Sequence, residues 1–398
     1  MKKGWEYKKL KDVATFTRGL TYSKNDEVEI SNNIVLRSNN VDLSTGKLNF
    51  DELKYLKPEF SIPEEKKVKK GSLLMCMSNG SKIHLGKVAL INEDYYYAFG
   101  GFMALVTPNE ELIPNFFFYY LSSPIYKDFI KKLSEGANIN NIKVKELELF
   151  AIPVPPLSEQ QSIVDYLDSA FAKIDAMKAN AEKALNEAKA LFQASLKEML
   201  EPKEGWEEKK LGDVGTFIRG GNFSKKDFVE DGYPCIHYGQ IHTKFGVATF
   251  EHLSCVPETM VKKERCASKG DLVIAITSED DEGSCKCTAW MADYDAYVGG
   301  HTAIFKHNLN PIYVSYYFKA ARFQKDKLDY THGFKVVEIS PKDIAKIPIC
   351  YPSAEEQQSI VAKLDSLKSK VDRLQANYDK ISQECDTLKQ AILRQVFE

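Results

Sequence analysis

Two long stretches of the chain carry one hydrophobic spacing. In the first, apolar or small residues fall at Ile163, Leu167, Ala170, Ile174, Met177, Ala181, Ala184, Ala188, Leu191 and Ser195; in the second, at Ile360, Leu364, Leu367, Val371, Leu374, Tyr378, Ile381, Cys385, Leu388 and Ile392. Alternating steps of three and four residues define a coiled-coil seam, and two such helices at equivalent places pair most simply with each other, antiparallel. The proline runs Ile152-Pro153-Val154-Pro155-Pro156-Leu157 and Ile347-Pro348-Ile349-Cys350-Tyr351-Pro352 precede them and are expected to act as hinges, because proline fixes φ and disfavours helix in the residue before it. Ser158 and Ser353 are the expected N-caps. Some 36 residues at 1.5 Å each make a rod of about 55 Å.

Upstream of each hinge the pattern changes. Short apolar segments, Ile34 to Leu36, Ser72 to Met77, Lys87 to Ile91 and Phe102 to Val106, bounded by Gly, Asn and Pro, predict strands. An aromatic-rich helix is predicted from about Pro114 to Leu133, with a counterpart from about Pro311 to Leu328. The parts divide as residues 1–157 and 202–354 for two globular domains, and 158–201 and 355–398 for two helices. The fold class expected is α+β: two similar mixed α/β domains separated by two long helices that pair as an antiparallel coiled coil, with pseudo-twofold symmetry.

The similarity of the halves is written in the sequence itself. GWEYKKLKDVATFTRG from Gly4 recurs as GWEEKKLGDVGTFIRG from Gly205, Lys70-Gly71-Ser72-Leu73-Leu74 as Lys269-Gly270-Asp271-Leu272-Val273, and Glu159-Gln160-Gln161-Ser162-Ile163-Val164 as Glu356-Gln357-Gln358-Ser359-Ile360-Val361. Between these anchors the copies diverge, and residues 31–57 share almost nothing with 232–258. One frame carries two different surfaces.

Composition narrows the class without naming a partner. With 398 residues, 43% hydrophobic and 28% charged, the chain has ordinary globular usage. No run reaches the ~18 apolar residues of a membrane span, and MKKGWEYKKL lacks the apolar core of a signal peptide, so a cytoplasmic protein with no membrane partner is expected. Eight cysteines, none in a C-x-x-C pair, are expected to be reduced thiols. The formal charge is −2, but the first helix sets eight acidic residues against five lysines, which leaves the globular parts slightly basic.

Catalytic motifs are missing. Asn310-Pro311-Ile312-Tyr313 lacks the second proline of an amino-methyltransferase loop and reads as a helix start; Gly80-Ser81-Lys82-Ile83-His84-Leu85-Gly86-Lys87-Val88 has the wrong spacing for a phosphate loop and Val88 in place of Ser or Thr. The scattered histidines and Cys285-x-Cys287 have no metal-ligand spacing, and Glu279 to Glu282 reads as a solvated turn. No metal site, cofactor or active site is expected in this chain.

The Gly-Trp-Glu…Leu-x-Asp-Val starts, the Lys-Gly-(Ser/Asp)-Leu strands, the central Gly-Gly pairs at 100–101 and 299–300, and the Pro…Glu-Gln-x-x-Ile-Val hinges occur in the same order in both copies. This set resembles the specificity subunit of type I restriction-modification systems, over essentially the whole chain. Pro352-Ser353-Ala354 departs from the usual Pro-Pro-Leu, although the hinge proline and Glu-Gln remain. The resemblance implies that each globular part is a target recognition domain reading one half of a split, asymmetric double-stranded DNA sequence. It implies that the helix pair sets the gap, with ~16 base pairs as the upper bound on half-site separation. It implies as partners two modification (methyltransferase) subunits, which supply S-adenosylmethionine and adenine N6 methylation, and in complete systems restriction subunits that add ATP-driven translocation and cleavage. The chain itself would choose the site and catalyse nothing.

DNA contacts are then expected on loops that differ between the copies and carry residues able to reach phosphates or base edges. In the first domain these are Arg18, Tyr22, Ser23, Lys24, Arg37, Asn39, Asn40, Ser78, Asn79, Ser81, Lys82, His84, Asn138, Asn140 and Asn141. In the second they are Arg219, Asn222, Ser224, Lys225, His237, Tyr238, Gln240, His242, Lys244, Ser278, Glu279, Lys286 and Lys335. Arg37 and Gln240 are expected to read bases in one half-site each. Two other classes remain open on sequence alone: a coiled-coil scaffold whose globular ends bind protein, and a self-contained methyltransferase or nuclease, which the missing motifs disfavour.

Overall fold

The computed structural model describes residues 5–135, 141–333 and 336–398. Contacts divide the chain into two units, and the first is discontinuous: Met1–Ala181 with Tyr378–Glu398, against Glu182–Asn377. Each globular part therefore takes half of each long helix.

In the first unit, strands Ala14–Arg18, Met103–Pro108, Leu73–Cys76 and Val88–Leu90 form an antiparallel sheet in that spatial order. Leu73–Cys76 is buried at every position because both faces of this sheet are covered. Leu73 and Met75 face the helical side with Phe116 and Tyr120, whereas Leu74 and Cys76 pack with Leu36 and Phe99 of a second sheet. That second sheet runs Glu27–Val28, Lys54–Leu56, Asn33–Leu36, Ala98–Phe99, with its last pair parallel. The second unit repeats the plan. Its larger sheet orders Gly215–Arg219, Thr302–His307, Leu272–Ala275, Cys287–Trp290 and Ala248–Thr249; its smaller one orders Ser254–Val256, Tyr233–Ile236, Ala296–Val298 and Cys266–Ala267. All eight cysteines are free and buried.

The prolines do less breaking than expected. Ala151–Val154 is a strand paired antiparallel with Glu6–Lys9, and Pro348–Tyr351 pairs likewise with Glu207–Lys210, so the first half of each expected hinge is an anchored strand. Pro153 is tolerated because each pair is two-stranded and all its positions lie on an edge. The aromatic helix is two helices, Pro114–Ser122 and Pro124–Glu135, since Pro124 ends the first at Ser123. Its counterpart splits into Pro311–Tyr317 and Ala321–Asp326, followed by a 3₁₀ turn at Lys327–Tyr330.

The long helices span Leu157–Leu200 and Ala354–Phe397, each starting one residue ahead of the expected boundary. Ser353 caps the second, its Oγ accepting from the Glu356 amide at 3.3 Å. Ser158 instead lies inside the first turn, where the Pro156 carbonyl accepts from Glu159 and Gln160 amides at 2.9 and 3.0 Å. The helices run antiparallel in both units. In the first, Lys178 pairs with Asp386, Lys389 with Asp175, and Cys385 Sγ donates to the Ile174 carbonyl at 3.7 Å; in the second, Lys189 Nζ donates to Gln375 Oε1 at 2.8 Å.

The seam shifts by a residue beyond Ile174. Leu185, Phe192 and Leu196 are buried, while Met177 and Leu191 of the expected seam are 59% and 58% exposed. The second helix holds its expected seam to Cys385, then exposes Leu388 and buries Leu393 and Phe397. The cause is that each helix end serves a globular core as well as the other helix. Phe192, Leu196 and Leu200 belong to the core of the second unit, Leu393 and Phe397 to that of the first.

The repeated Glu-Gln-Gln motif has a structural explanation. Gln160 is fully buried; its Oε1 accepts from the Ile113 amide at 2.8 Å and its Nε2 donates to the Glu111 and Pro155 carbonyls at 2.7 and 2.8 Å. Gln357 repeats this with the Asn310 amide and the Pro352 carbonyl, both at 2.9 Å. One side chain thus ties the helix start to the aromatic helix and to the proline turn. Gln160→Ala strands buried backbone groups and is expected to lower stability by about 2–4 kcal/mol, read as an earlier urea midpoint for the first unit.

Candidate nucleic-acid interface

Each smaller sheet ends in a Gly-Gly turn that the rest of the interface is built around. In the first unit the Gly19 amide donates to the Met103 carbonyl at 3.0 Å, Leu20 to Phe99 at 2.7 Å, and Gly100 to Leu36 at 2.9 Å. A Cβ on Gly19 would sit 2.0 Å from the Gly100 carbonyl oxygen, and one on Gly220 1.9 Å from that of Gly299. Only glycine admits this backbone approach. The same turn brings Tyr22 and Arg37 alongside Gly100.

Arg37 follows the strand Asn33–Leu36, and Asn40 fixes its backbone. Asn40 is fully buried, its Oδ1 accepting from the Arg37 amide at 2.9 Å and its Nδ2 donating to the Asn49 and Glu52 carbonyls. In the second unit Gln240 does the same work, with Oε1 accepting from the His237 amide at 2.9 Å and Nε2 donating to Ser254 Oγ at 2.9 Å. The structure therefore makes Asn40 and Gln240 positioning residues, with their polar atoms already used, and the residue whose backbone each one holds is the half-buried Arg37 in the first unit and the buried His237 in the second. Arg37 Nε is screened from solvent and has no hydrogen-bond partner among the described residues. Burial pushes the Tyr22 hydroxyl pKa up, with the nearby Arg37 charge opposing it.

The remaining first-unit residues divide. Asn79 donates to Ser38 Oγ at 2.8 Å and accepts from the Ser81 amide, while Ser78 bridges to Asn141 and its amide donates to the Phe102 carbonyl at 3.2 Å. Tyr22, Arg37, Ser78, Asn79 and Asn141 therefore gather around the turn. Lys82 instead reaches the Ser134 carbonyl at 3.1 Å, at the far end of its loop. His84 lies half-buried there, with its pKa lowered by burial. Arg18 ends its strand exposed, its carbonyl taken by Lys66 Nζ at 2.9 Å; Ser23 is bonded to Asp26, Lys24 is exposed, and Asn39 donates to the Glu52 carbonyl at 3.1 Å. Asn138 and Asn140 lie outside the described residues.

The second unit presents a different surface on the same frame. Tyr238 is surrounded by the rings of His237, His301 and His242 at 4.6, 5.2 and 6.0 Å. His237 Nδ1 accepts from the Gly239 amide at 3.1 Å, and burial, then Lys225 and His301, lower its pKa, so it stays neutral at physiological pH. His242 Nε2 lies 3.1 Å from the Thr277 carbonyl. Arg219 is held by Glu338 at 3.1 Å and by the Gly300 carbonyl, and Ser224 by Asp227. Ser278 pairs with Val337 in the short Thr277–Ser278 strand, Asn222, Lys225, Lys244 and Glu279 are exposed, and Lys286 opens onto a cavity beside Phe192 and Gln193. Lys335 lies outside the described residues.

Two residues escaped the sequence reading, Phe102 and His301, each directly after the Gly-Gly turn and each exposed. Their signal was available: the anchors Phe99-Gly100-Gly101 and Val298-Gly299-Gly300 align them as unlike residues at one position of the frame. Among the described residues no group of three or more His, Cys, Asp or Glu side chains is arranged to hold a metal ion, and no helix is long and apolar enough to cross a membrane.

Two copies of one α+β frame, unlike at their loop tips and tied to a helix pair, define a tandem recognition protein. The chain belongs to the family of the type I restriction modification DNA specificity domain, whose model matches residues 2–187 and again 203–383. It is a DNA-specificity subunit rather than a catalytic one. Over 417 aligned residues it is 26% identical to the type I restriction enzyme EcoKI specificity subunit of Escherichia coli K12, covering 99% of this chain and 88% of that one. The StySPI specificity subunit of Salmonella potsdam is 33% identical over 196 residues, 48% of this chain and 42% of its own. Among solved structures, a chain from work on complex assembly and conformational transition of the type I R-M system aligns with TM-score 0.76 at 21% identity, covering 100% and 98% of the two chains. The HsdS subunit from Thermoanaerobacter tengcongensis gives 0.57 at 20% identity, covering 99% and 97%.

Proposed function

We propose that the first unit reads one half and the second unit the other half of a bipartite, asymmetric sequence in double-stranded DNA. The observation that carries this is the pairing of one backbone device with two outward side-chain sets. The Asn40 and Gln240 caps and the Gly-Gly turns are shared, while the solvent-reaching side chains beside them, Arg37 and Asn79 in the first unit and Tyr238 and His242 in the second, are not. A common frame with unlike tips is what two unlike half-sites require. Arg37 would read a base edge, with guanine the natural match for a guanidinium, and exposed lysines such as Lys24 and Lys225 would meet phosphates. We assign as partners two modification subunits, which bring S-adenosylmethionine and methylate adenine N6, and restriction subunits where a system has them; the cofactor belongs to those partners, and the complex works in the cytoplasm.

Co-expression with the modification subunit, followed by genome-wide mapping of methylated adenines, tests this. The expected result is a split motif with adenines methylated on opposite strands, and exchange of residues 1–157 for those of a relative changes one half only. Arg37→Ala is expected to relax one position of that half by about 1–3 kcal/mol of discrimination. A complex that forms yet methylates no motif would support the protein-binding scaffold instead, and methylation by the purified chain alone would revive the enzyme reading.

A further inference from the structure

We propose that the residue after each Gly-Gly turn sets specificity directly: Phe102 reads a thymine through its 5-methyl group in the first half-site, and His301 donates from Nε2 to a guanine acceptor in the second. The inference rests on the DNA-reading function proposed above and names which side chains carry it.

Single exposed apolar residues are ordinary on protein surfaces. Phe102 differs because it is 71% exposed on a backbone that is held from both sides. Its carbonyl accepts from the Met77 and Ser78 amides at 2.9 and 3.2 Å, and the Met103 amide just after it donates to the Gly100 carbonyl at 2.8 Å. A large apolar ring is thus presented to solvent on a rigid turn, among polar groups that can bond base edges. Phenylalanine offers nothing to a phosphate, and its complement in a DNA groove is the thymine methyl.

The second unit repeats the placement with other chemistry. His301 is exposed, its carbonyl accepts from the Ile276 amide at 3.0 Å, and its Nδ1 lies 3.1 Å from Thr277 Oγ1. With the threonine hydroxyl donating to Nδ1, the neutral ring carries its proton on Nε2, where it is available to a base. Tyr238 packs at 5.2 Å and limits the ring's rotation. Guanine N7 and O6 are the major-groove acceptors that such a donor meets.

Base-analogue substitution tests both contacts without relying on mutant folding. In binding assays with the complex of this chain and its modification subunits, duplexes carry uracil for each thymine, or 7-deazaguanine for each guanine, one position at a time. At one thymine of the first half-site, loss of the methyl is expected to weaken wild-type binding about tenfold and to leave F102A binding unchanged; F102L keeps part of the preference. At one guanine of the second half-site, 7-deazaguanine weakens the wild type and not H301A, and each variant leaves the other half of the methylation motif intact. The proposal is overturned if no analogue position matches its variant, or if F102A and H301A methylate the wild-type motif unchanged. A wild-type complex with no bipartite motif would instead overturn the function on which the inference rests.

Discussion

Phe397→Ala is expected to unfold the first unit ahead of the second, although the residue lies about 280 positions along the chain from the Phe116 and Tyr120 rings it packs against. Phe397 is 2% exposed, with its ring edge-on to Phe116 and Tyr120 at 5.6 and 5.1 Å, and it shares a core with Leu10, Leu147 and Ile152. Removing a buried phenyl ring costs about 3–5 kcal/mol, the transfer energy of the ring plus the cavity left behind. Calorimetry should show the part of the transition due to the first unit move down while the part due to Glu182–Asn377 stays. Methylation mapping should show the first half of the motif lost or relaxed before the second. A uniform shift of the whole transition would mean that the two units unfold as one.

The second large effect concerns geometry more than packing. In Gly19→Ala the new Cβ would lie 2.0 Å from the Gly100 carbonyl oxygen and 2.6 Å from that of Phe99, both backbone atoms with no rotamer to yield. Either the loop after Ala14–Arg18 lifts from the turn or the turn moves, and Tyr22, Arg37 and Phe102 move with it. A stability loss of about 3 kcal/mol is expected, together with loss of recognition in the first half-site. Gly220→Ala should produce the mirror outcome in the second. Gly80→Ala, where a Cβ meets nothing within 4 Å, is the matched control for stability and should leave the melting curve unchanged.

Much of this molecule was legible without coordinates. The duplication, the two seams and the buried strands are local patterns, because an apolar period reports which face of an element must leave water. The Gly-Gly anchors were legible as a repeat, and so were the glycines that close the two repeated starts, Gly19 and Gly220, where a backbone oxygen 2.0 and 1.9 Å from the Cβ position accepts nothing larger. The missing catalytic motifs were equally readable. The sequence by itself therefore determined the frame: two α+β units, two long helices, and surfaces that differ.

What the tertiary structure decided is where each side chain spends its polar atoms and its apolar area. Asn40 and Gln240 look like base readers in the chain, yet both point inward because the amides and carbonyls around the Arg37 and His237 turns need those partners. Phe102 looks like a core residue at the head of a strand, yet it is exposed because the strand begins only at Met103. Met177 and Leu191 left the seam because Phe192, Leu196 and Leu200 are drawn into a globular core. None of these contacts follows an apolar period: Asn40 and Gln240 bond polar groups three to fourteen residues away, and the helix ends pack on cores built from distant segments. The second helix ends inside the core of the first domain for the same reason: antiparallel pairing returns Leu393 and Phe397 to the unit where the first helix began.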